Sequence, residues 1–420
     1  MKQKILPLIA VSLLLLTAGC ASQRPVPPPV GELSRLPWGA NTLATDDVSD
    51  AELVESLRQR LAKVNRSTGE KIIPYNALTI SGGGSRGAYS AGVLTGWSES
   101  GTRPEFDVVT GISTGALIAT FAFLGEQYDE VLSYYTQVNN EDIFEKRSQL
   151  AALTSDALLD TAPLRKTIES QITTEVLAAV AQEYASGRHL FIGTTNLDSG
   201  TFTIWDMGAI ASSDRPDRLQ RYRDVILASA TFPVAFPPVY IGVDTEQGTY
   251  YQMHVDGGLS ENVFYFDFLS GLSEILASEG LKAEDIEMNL FILMSDKIHG
   301  SSRYQPVDPS VGSISAASLS TLLSRTQRGS LYRIWVQGLI AGVNMHLAYI
   351  PEDEEIARSS LDFNQDEMRR LFDLGYQSAK IDTAWHRHTP PNSQEELIWL
   401  LDPANTIDLL DEAPRKEVAE

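Results

Sequence analysis

Short apolar runs that end in glycine alternate with longer helical stretches in the first half of the chain. Residues 77–81 form a β-prone run, and residues 85–97 have the apolar spacing of a helix. Residues 106–110 form a second buried-type strand, and residues 116–124 continue as an apolar helix. Two successive strand–turn–helix units are typical of parallel βα structure. We therefore predict an α/β fold with a mostly parallel central sheet.

The later pattern predicts further elements around this sheet. Strands are expected at 189–195, 201–206, 250–255 and 288–295. Helices are expected near 47–64, 162–184, 217–229, 266–279, 317–342 and 364–388. Residues 297–316 are rich in Ser, Gly and Pro, which predicts a loop.

The N-terminus has the pattern of an export signal. Lys2 and Lys4 precede an apolar run over residues 5–16, which is too short to cross a bilayer core of roughly 30 Å. Ala-Gly-Cys follows at residues 18–20, and the segment resembles a bacterial lipoprotein signal, in which the cysteine becomes the lipidated first residue. Thr17 departs from the leucine that is usual there. An ordinary secretory signal with an incidental cysteine is the alternative.

Cys20 is the only cysteine, so an internal disulfide is excluded. By the same resemblance, Ala21 after the cysteine favours the outer membrane, facing the periplasm of a bacterial envelope. We expect a signal peptide at 1–19, and a lipidated tether with an N-terminal helix at 20–70. The main domain is expected at 71–390, with a C-terminal extension at 391–420. The proline-rich residues 24–29 predict an extended, semi-rigid spacer.

The formal net charge of −22 narrows the range of partners. Nucleic-acid binding requires basic patches, so nucleic acid is excluded as a partner. Attraction to anionic lipid headgroups is disfavoured for the same reason. The simplest role of this charge is solubility.

A glycine-rich loop after the first strand has two functional interpretations. Gly82-x-Gly84-x-x-Gly87 fits the dinucleotide fingerprint, with Asp107 at the distance of its acidic residue, although Asp107 begins the next apolar run instead of ending it. The second interpretation is an oxyanion hole of backbone N–H groups, helped by the start of a helix. Arg86 either adds charge or anchors the loop. A glycine turn without a ligand is the structural alternative.

A serine lies at the second strand-to-helix junction. Gly111, Ser113 and Gly115 fit the G-x-S-x-G pattern of a nucleophile elbow, and the junction is the context that this motif requires. The N–H of Thr114 is placed to join an oxyanion hole. Ser113 is therefore the candidate nucleophile.

A serine nucleophile needs a base, and Asp256 is the leading candidate. Asp256-Gly257-Gly258 ends an expected strand at a glycine turn, where functional side chains often project. None of the six histidines lies in a recognisable triad segment. His254 shares a strand face with Asp256, but a hydrogen-bonded strand histidine is its simpler interpretation.

These three segments together resemble the patatin-like phospholipase family. That family has a GGGxRG loop, a GxSxG serine and a DGG aspartate in this order, and all three are present here. Supporting stretches lie at 159–165, 228–233, 236–238 and 363–379. The resemblance extends from about Tyr75 to His388 and argues against the dinucleotide interpretation.

The resemblance implies a three-layer α/β/α fold and hydrolysis of lipid acyl esters without a metal or other cofactor. It assigns Ser113 as nucleophile and Asp256 as base, in a dyad without histidine. Residues of the oxyanion loop are Gly82, Gly83, Gly84, Arg86 and Gly87. Asn196, Asp198 and the 229–238 stretch are expected to be structural or to line the pocket. An acyltransferase with the same dyad, or a non-catalytic envelope lipoprotein, is the alternative function.

Overall fold

The structure is a computed structural model that describes residues 24–32, 35–42, 58–60, 73–148, 155–265, 285–298, 306–357 and 359–387. The signal segment with Cys20, the helix expected at 266–279 and the extension at 391–420 lie outside these residues. Of the helix expected near 47–64, only residues 58–60 are described, and they are helical.

The strands number β1 to β12 in chain order within the described residues. They are β1 Ala40–Thr42, β2 Ile73–Ile80, β3 Val108–Ile112, β4 Glu145–Lys146, β5 Leu159–Asp160, β6 His189–Asn196, β7 Thr201–Asp206, β8 Val239–Thr245, β9 Gly248–Asp256, β10 Ile286–Leu293, β11 Asn344–Ala348 and β12 His386–Arg387. Strands β4 and β5 form a separate antiparallel pair.

The main sheet has the order β1-β7-β6-β3-β2-β10-β11-β12, and its five inner strands from β6 to β11 run parallel. Strand β6 changes its partner part-way along its length. Gly193 pairs with Ile112 of β3, whereas the next residue, Thr194, pairs with Asp256 of β9. Strand β8 pairs with β9 outside this order. The mostly parallel sheet confirms the predicted fold class.

The helices are α1 Gly87–Glu99, α2 Thr114–Leu124, α3 Asp129–Ser133, α4 Asn140–Ile143, α5 Ala162–Gln171, α6 Thr174–Ala185, α7 Met207–Ser212, α8 Arg218–Ser229, α9 Val311–Ile340 and α10 Gln365–Lys380. They cover both faces of the sheet. Side chains such as Leu78 and Ile80 of β2 pack on one face with residues of α1, α2, α8 and α10. Ile73 and Tyr75 of the same strand pack on the other face with residues of α9. Side chains that alternate between the two faces of each strand thus form two cores, and the sheet with its helices on both faces forms three layers.

Several predicted boundaries are wrong. The loop expected at 297–316 already contains the start of α9, where the Ser310 hydroxyl caps the helix by accepting from Ser313 N at 3.1 Å. The helix expected at 162–184 is two helices, because Thr173 has extended backbone and caps α6. Strands β8 and β11 were not predicted. Small polar residues weaken the hydrophobic periodicity at the start of α9. Short strands of mixed polarity show little alternation of apolar and polar residues.

The proline-rich N-terminal segment lies against the domain. Strand β1 adds to the sheet edge beside β7, and Val26 O accepts a hydrogen bond from Tyr251 N at 3.0 Å. Arg24 forms an ion pair with Asp198 at 2.5 Å. Residues 24–32 and 35–42 therefore contact the domain instead of forming a separate spacer.

Candidate active site

The parallel strands bring the three motifs to one edge of the sheet. Ile80 of β2 pairs with Gly111 of β3, so both strands end at the same level. The glycine-rich loop follows β2, and the serine turn follows β3. Because β6 passes from β3 to β9, Asp256 is set beside the end of β3.

Ser113 occupies a sharp turn between β3 and α2. Its backbone has φ 56° and ψ −123°, a conformation that is costly for any residue except glycine. Gly115 is required here because a Cβ on it would lie 2.3 Å from the carbonyl oxygen of Ile80. The turn presents the Ser113 side chain to a cavity, while the start of α2 lies directly behind it.

The Asp256 carboxylate and the Ser113 side chain line the same cavity, and the Ser113 hydroxyl acts to lower the pKa of this carboxylate. Asp256 Oδ1 accepts from Gly258 N at 2.8 Å. Asp256 is 5% exposed, and burial raises its pKa to about 6, although the Ser113 hydroxyl and the Gly258 amide act to lower it. The carboxylate is therefore more basic than an exposed aspartate.

Two amide groups of the glycine-rich loop are free to bind an anion. Within the part of the chain that the structure describes, Gly83 N and Gly84 N have no hydrogen-bond partner. Both residues line the same cavity as Ser113 and Asp256. Thr114, the first residue of α2, also lines it, and the start of this helix adds the positive end of its dipole.

The other predicted loop residues shape the loop instead of supplying donors. Gly82 N donates to Asn262 O at 3.2 Å, Arg86 N donates to Gly83 O at 3.2 Å, and Gly87 N donates back to Gly84 O. The Arg86 guanidinium pairs with Asp296 and donates to Ala357 O. This geometry favours the anchoring role that the sequence left open for Arg86.

A cavity of about 300 Å³ extends from these groups into the domain. Ser113, Asp256 and the loop lie at its polar end. Its other walls are largely apolar, with side chains from several helices, among them Leu117, Phe121, Leu132, Ile168, Ile226 and Phe236. A long apolar chain attached to a polarised carbonyl fits such a cavity.

The histidine and dinucleotide alternatives do not fit this geometry. His254 is fully buried, its Nδ1 lies 3.0 Å from Thr194 Oγ1, and burial lowers its pKa to about 3. It does not line the cavity. The Asp107 carboxylate is buried and bound by Arg60 at 2.6 Å and by Asn76 N at 2.8 Å, so it holds the structure together and faces no ligand.

A known protein family matches the part of the chain that forms this site. Residues 78–269 match the model of the patatin-like phospholipase family, a stretch that contains the loop, Ser113 and Asp256. Residues 78–269 thus form a patatin-like phospholipase domain. This finding confirms the resemblance drawn from the motifs and supports lipid acyl hydrolysis as the general activity.

Solved structures and curated sequences do not add to this assignment. The crystal structure of VipD from Legionella pneumophila is similar with a TM-score of 0.31 and 12% identity, covering 74% of this chain and 67% of that chain. No curated protein sequence matches the chain.

Two further polar residues support the site, of which Ser229 lies in the 229–238 stretch that was expected to be structural or to line the pocket, whereas Asn262 carried little signal in the sequence. The Ser229 hydroxyl accepts from Ser113 N at 2.9 Å and donates to Gly193 O at 2.7 Å, so it fixes the serine turn to β6. Asn262 lies between the glycine loop and the Gly257–Leu259 turn and lines the cavity. Asn196 and Asp198 form a local turn away from the cavity, where Asp198 N donates to Asn196 Oδ1.

Two further findings concern only the ranges that the structure describes. These ranges hold no cluster of three or more His, Cys, Asp or Glu side chains suited to a metal ion. None of their helices is both long and apolar enough to cross a bilayer.

Proposed function

We propose that the protein is a serine lipid acyl hydrolase of the phospholipase A, lysophospholipase or esterase type. The observation that carries this proposal is the placement of Ser113 and the buried Asp256 together at the polar end of an apolar cavity. The family match supports the same class of reaction. Burying an acyl chain in this cavity contributes about 0.8 kcal/mol per CH₂ group to substrate binding.

In the first half of the reaction, Ser113 Oγ attacks the ester carbonyl while its proton passes to Asp256. The carbonyl oxygen becomes an oxyanion, and Gly83 N and Gly84 N donate to it, with Thr114 N as a further donor. Each such donor contributes roughly 3 kcal/mol in comparable sites. When the tetrahedral species collapses, the alcohol leaves with the proton from Asp256, and the acyl group stays on Ser113.

In the second half, water attacks the acyl-enzyme while Asp256 again takes a proton. The fatty acid leaves, and the proton returns to Ser113. One carboxylate thus acts as base and then as acid in each half. An alcohol in place of this water would give acyl transfer, so both outcomes depend on the same dyad.

The pH dependence of ester hydrolysis tests this function. The base must be ionised, so kcat/KM is expected to fall tenfold per pH unit below the pKa of Asp256, about 6, and to level off above it. The measurement is the initial rate of acid release from short-chain esters and from phospholipids between about pH 4 and 9.

Two outcomes would contradict parts of this proposal. A plateau that persists down to about pH 4.5 would show a base with an ordinary carboxyl pKa. No turnover of any ester would favour the non-catalytic lipoprotein. Adding glycerol or another alcohol acceptor distinguishes the remaining alternative, because an acyltransferase would form a new ester in place of the free acid.

We further propose that Cys20 carries lipid and holds the domain at a membrane of the bacterial envelope, facing the periplasm from the outer membrane. The residue pattern around Cys20 supports this, and several acyl chains suffice for stable anchoring. Mass spectrometry of the mature N-terminal peptide tests it. A free N-terminal residue other than a lipidated Cys20 would contradict it.

A further inference from the structure

The surface nearest to Cys20 is apolar and poor in charge. Residues 25–31 contain no charged side chain, although the whole chain has a net charge of −22. Val26 is 66% exposed and Val30 is 87% exposed. Leu197 and Tyr251, exposed by 42% and 37%, lie on the adjoining turn and strand. We call these four residues the anchor-side surface.

Hydrogen bonds hold this surface together. Tyr251 N donates to Val26 O at 3.0 Å, and Leu197 N donates to Met253 O at 2.8 Å on the same strand β9. Arg24 is neutralised by its ion pair with Asp198. The surface is therefore part of the folded domain, and the Arg24 guanidinium beside it is already paired.

The short segment between Cys20 and Arg24 determines how far this surface can lie from the lipid on Cys20. Four peptide steps separate Cys20 from Arg24, and they span at most about 14 Å. A lipid chain on Cys20 lies in the bilayer, whose headgroup region is only several ångströms deep on each side. Arg24 and the surface around it are thus held within reach of the headgroups.

We propose that the anchor-side surface contacts the lipid bilayer and fixes the orientation of the domain on it. This proposal rests on the proposed lipidation of Cys20. Exposed valine and leucine side chains gain free energy by leaving water, and a tyrosine ring is suited to the boundary between headgroups and acyl chains. The absence of unpaired charge over residues 25–31 keeps the desolvation cost low.

Site-specific fluorescence tests the orientation. Lipidation blocks the thiol of Cys20, so Val26→Cys introduces a single reactive thiol for an environment-sensitive dye. Ile381→Cys is the matched control, because Ile381 is 67% exposed and lies at the end of α10. The lipidated proteins are reconstituted into phosphatidylcholine vesicles, with and without a lipid-borne quencher.

The dye at residue 26 is expected to shift to shorter wavelength and to be quenched at least threefold more than the dye at residue 381. Equal quenching at the two positions would overturn the proposal, and so would a free thiol at Cys20. Because fluorescence requires no turnover, an inactive enzyme would contradict the proposed function without affecting this result.

A second inference concerns Ser81, which directly precedes the glycine-rich loop. Ser81 is fully buried, and its hydroxyl donates to Gly82 O at 2.9 Å while accepting from Ser295 N at 2.8 Å. In a planar trans peptide, the C=O of one residue and the N–H of the next point in opposite directions. Fixing Gly82 O therefore fixes the direction of Gly83 N, one of the two free donors.

The structure assigns Ser81 as a positioning residue for the proposed oxyanion hole. The N–H of Ser295 binds one lone pair of the Ser81 hydroxyl, and the hydroxyl proton is directed to Gly82 O. The direction of Gly84 N is fixed in the same way, because the carbonyl oxygen of the same peptide, Gly83 O, accepts a hydrogen bond from Arg86 N at 3.2 Å. An oxyanion hole works best when its donors are already aligned before the reaction.

Ser81→Ala is expected to lower kcat by roughly 10- to 100-fold and to leave KM within about twofold. Affinity for a fatty trifluoromethyl ketone, which forms a tetrahedral oxyanion on Ser113, should fall by a similar factor. Affinity for the fatty-acid product should not change. Ser81→Thr retains the hydroxyl and should restore most of kcat, and Ser81→Cys, with a weak donor, should be intermediate.

Ser90→Ala is the matched control. Ser90 is also fully buried and bonds to the Ser295 hydroxyl at 2.7 Å, but it does not contact the loop carbonyls. Its kcat should stay within about threefold of the wild type. Equal kcat for Ser81→Ala and wild type would overturn this inference alone, and inactive wild type would overturn it together with the proposed function.

Discussion

Ser113→Ala is expected to lower kcat by about 10⁴-fold or more, which is the largest effect of any single change in this protein. The variant keeps the cavity and the loop but lacks the atom that accepts the acyl group. Burst-phase kinetics with a chromogenic ester provides the measurement, since the wild type should release a stoichiometric burst of alcohol and the variant none. Substrate affinity should change little, because Ser113 contributes a single oxygen to the cavity wall.

Ser113→Gly separates chemistry from stability. Glycine adopts φ 56° without steric cost, so this variant should be as inactive as Ser113→Ala yet more stable by about 1 kcal/mol. Urea denaturation of the two variants measures the difference. Substantial ester turnover by either variant would identify a different nucleophile and end the dyad mechanism.

Asp256→Asn is expected to lower kcat by about 10³- to 10⁴-fold with little change of shape, because the amide is isosteric but cannot accept a proton. It should also change the pH dependence of stability. The carboxyl has a pKa of about 6 when folded and about 3.9 when unfolded, so its contribution is fully present below about pH 4 and is lost as the pH rises through 6.

The stability difference between Asp256→Asn and wild type should therefore grow in favour of the variant, by up to about 3 kcal/mol from pH 4 to pH 8. Urea denaturation at both pH values measures it. His254→Asn is the control, since His254 is equally buried on the same strand and should affect kcat by less than about threefold. A large loss of kcat in His254→Asn would favour a triad over the dyad.

The catalytic candidates could be identified from the sequence because each lies in a short motif that has a local physical reason. Ser113 needs small neighbours on a sharp turn, and Gly82 to Gly84 need backbone without side chains. The strand ends that carry these motifs were also predictable, since buried strands of a parallel sheet are nearly continuous apolar runs.

The supports of the site were not predictable in the same way. Ser295 and Asp296 act through a hydrogen bond and an ion pair to residues more than 200 positions away, and no local pattern signals such a contact. The N-terminal segment was misjudged for a related reason. Its prolines predict extended backbone, but composition does not reveal that this segment is bound to strand β9.

The anchoring of the glycine loop also sets the smallest unit able to work by itself. Ser295 and Asp296 follow strand β10, and Ser360 O accepts from Ser85 N at 2.8 Å. All three lie beyond residue 269, where the family match ends. A fragment that ends at that boundary would keep the nucleophile and the base but lose the contacts that anchor the glycine loop. A minimal recombinant enzyme therefore has to extend past Ser360.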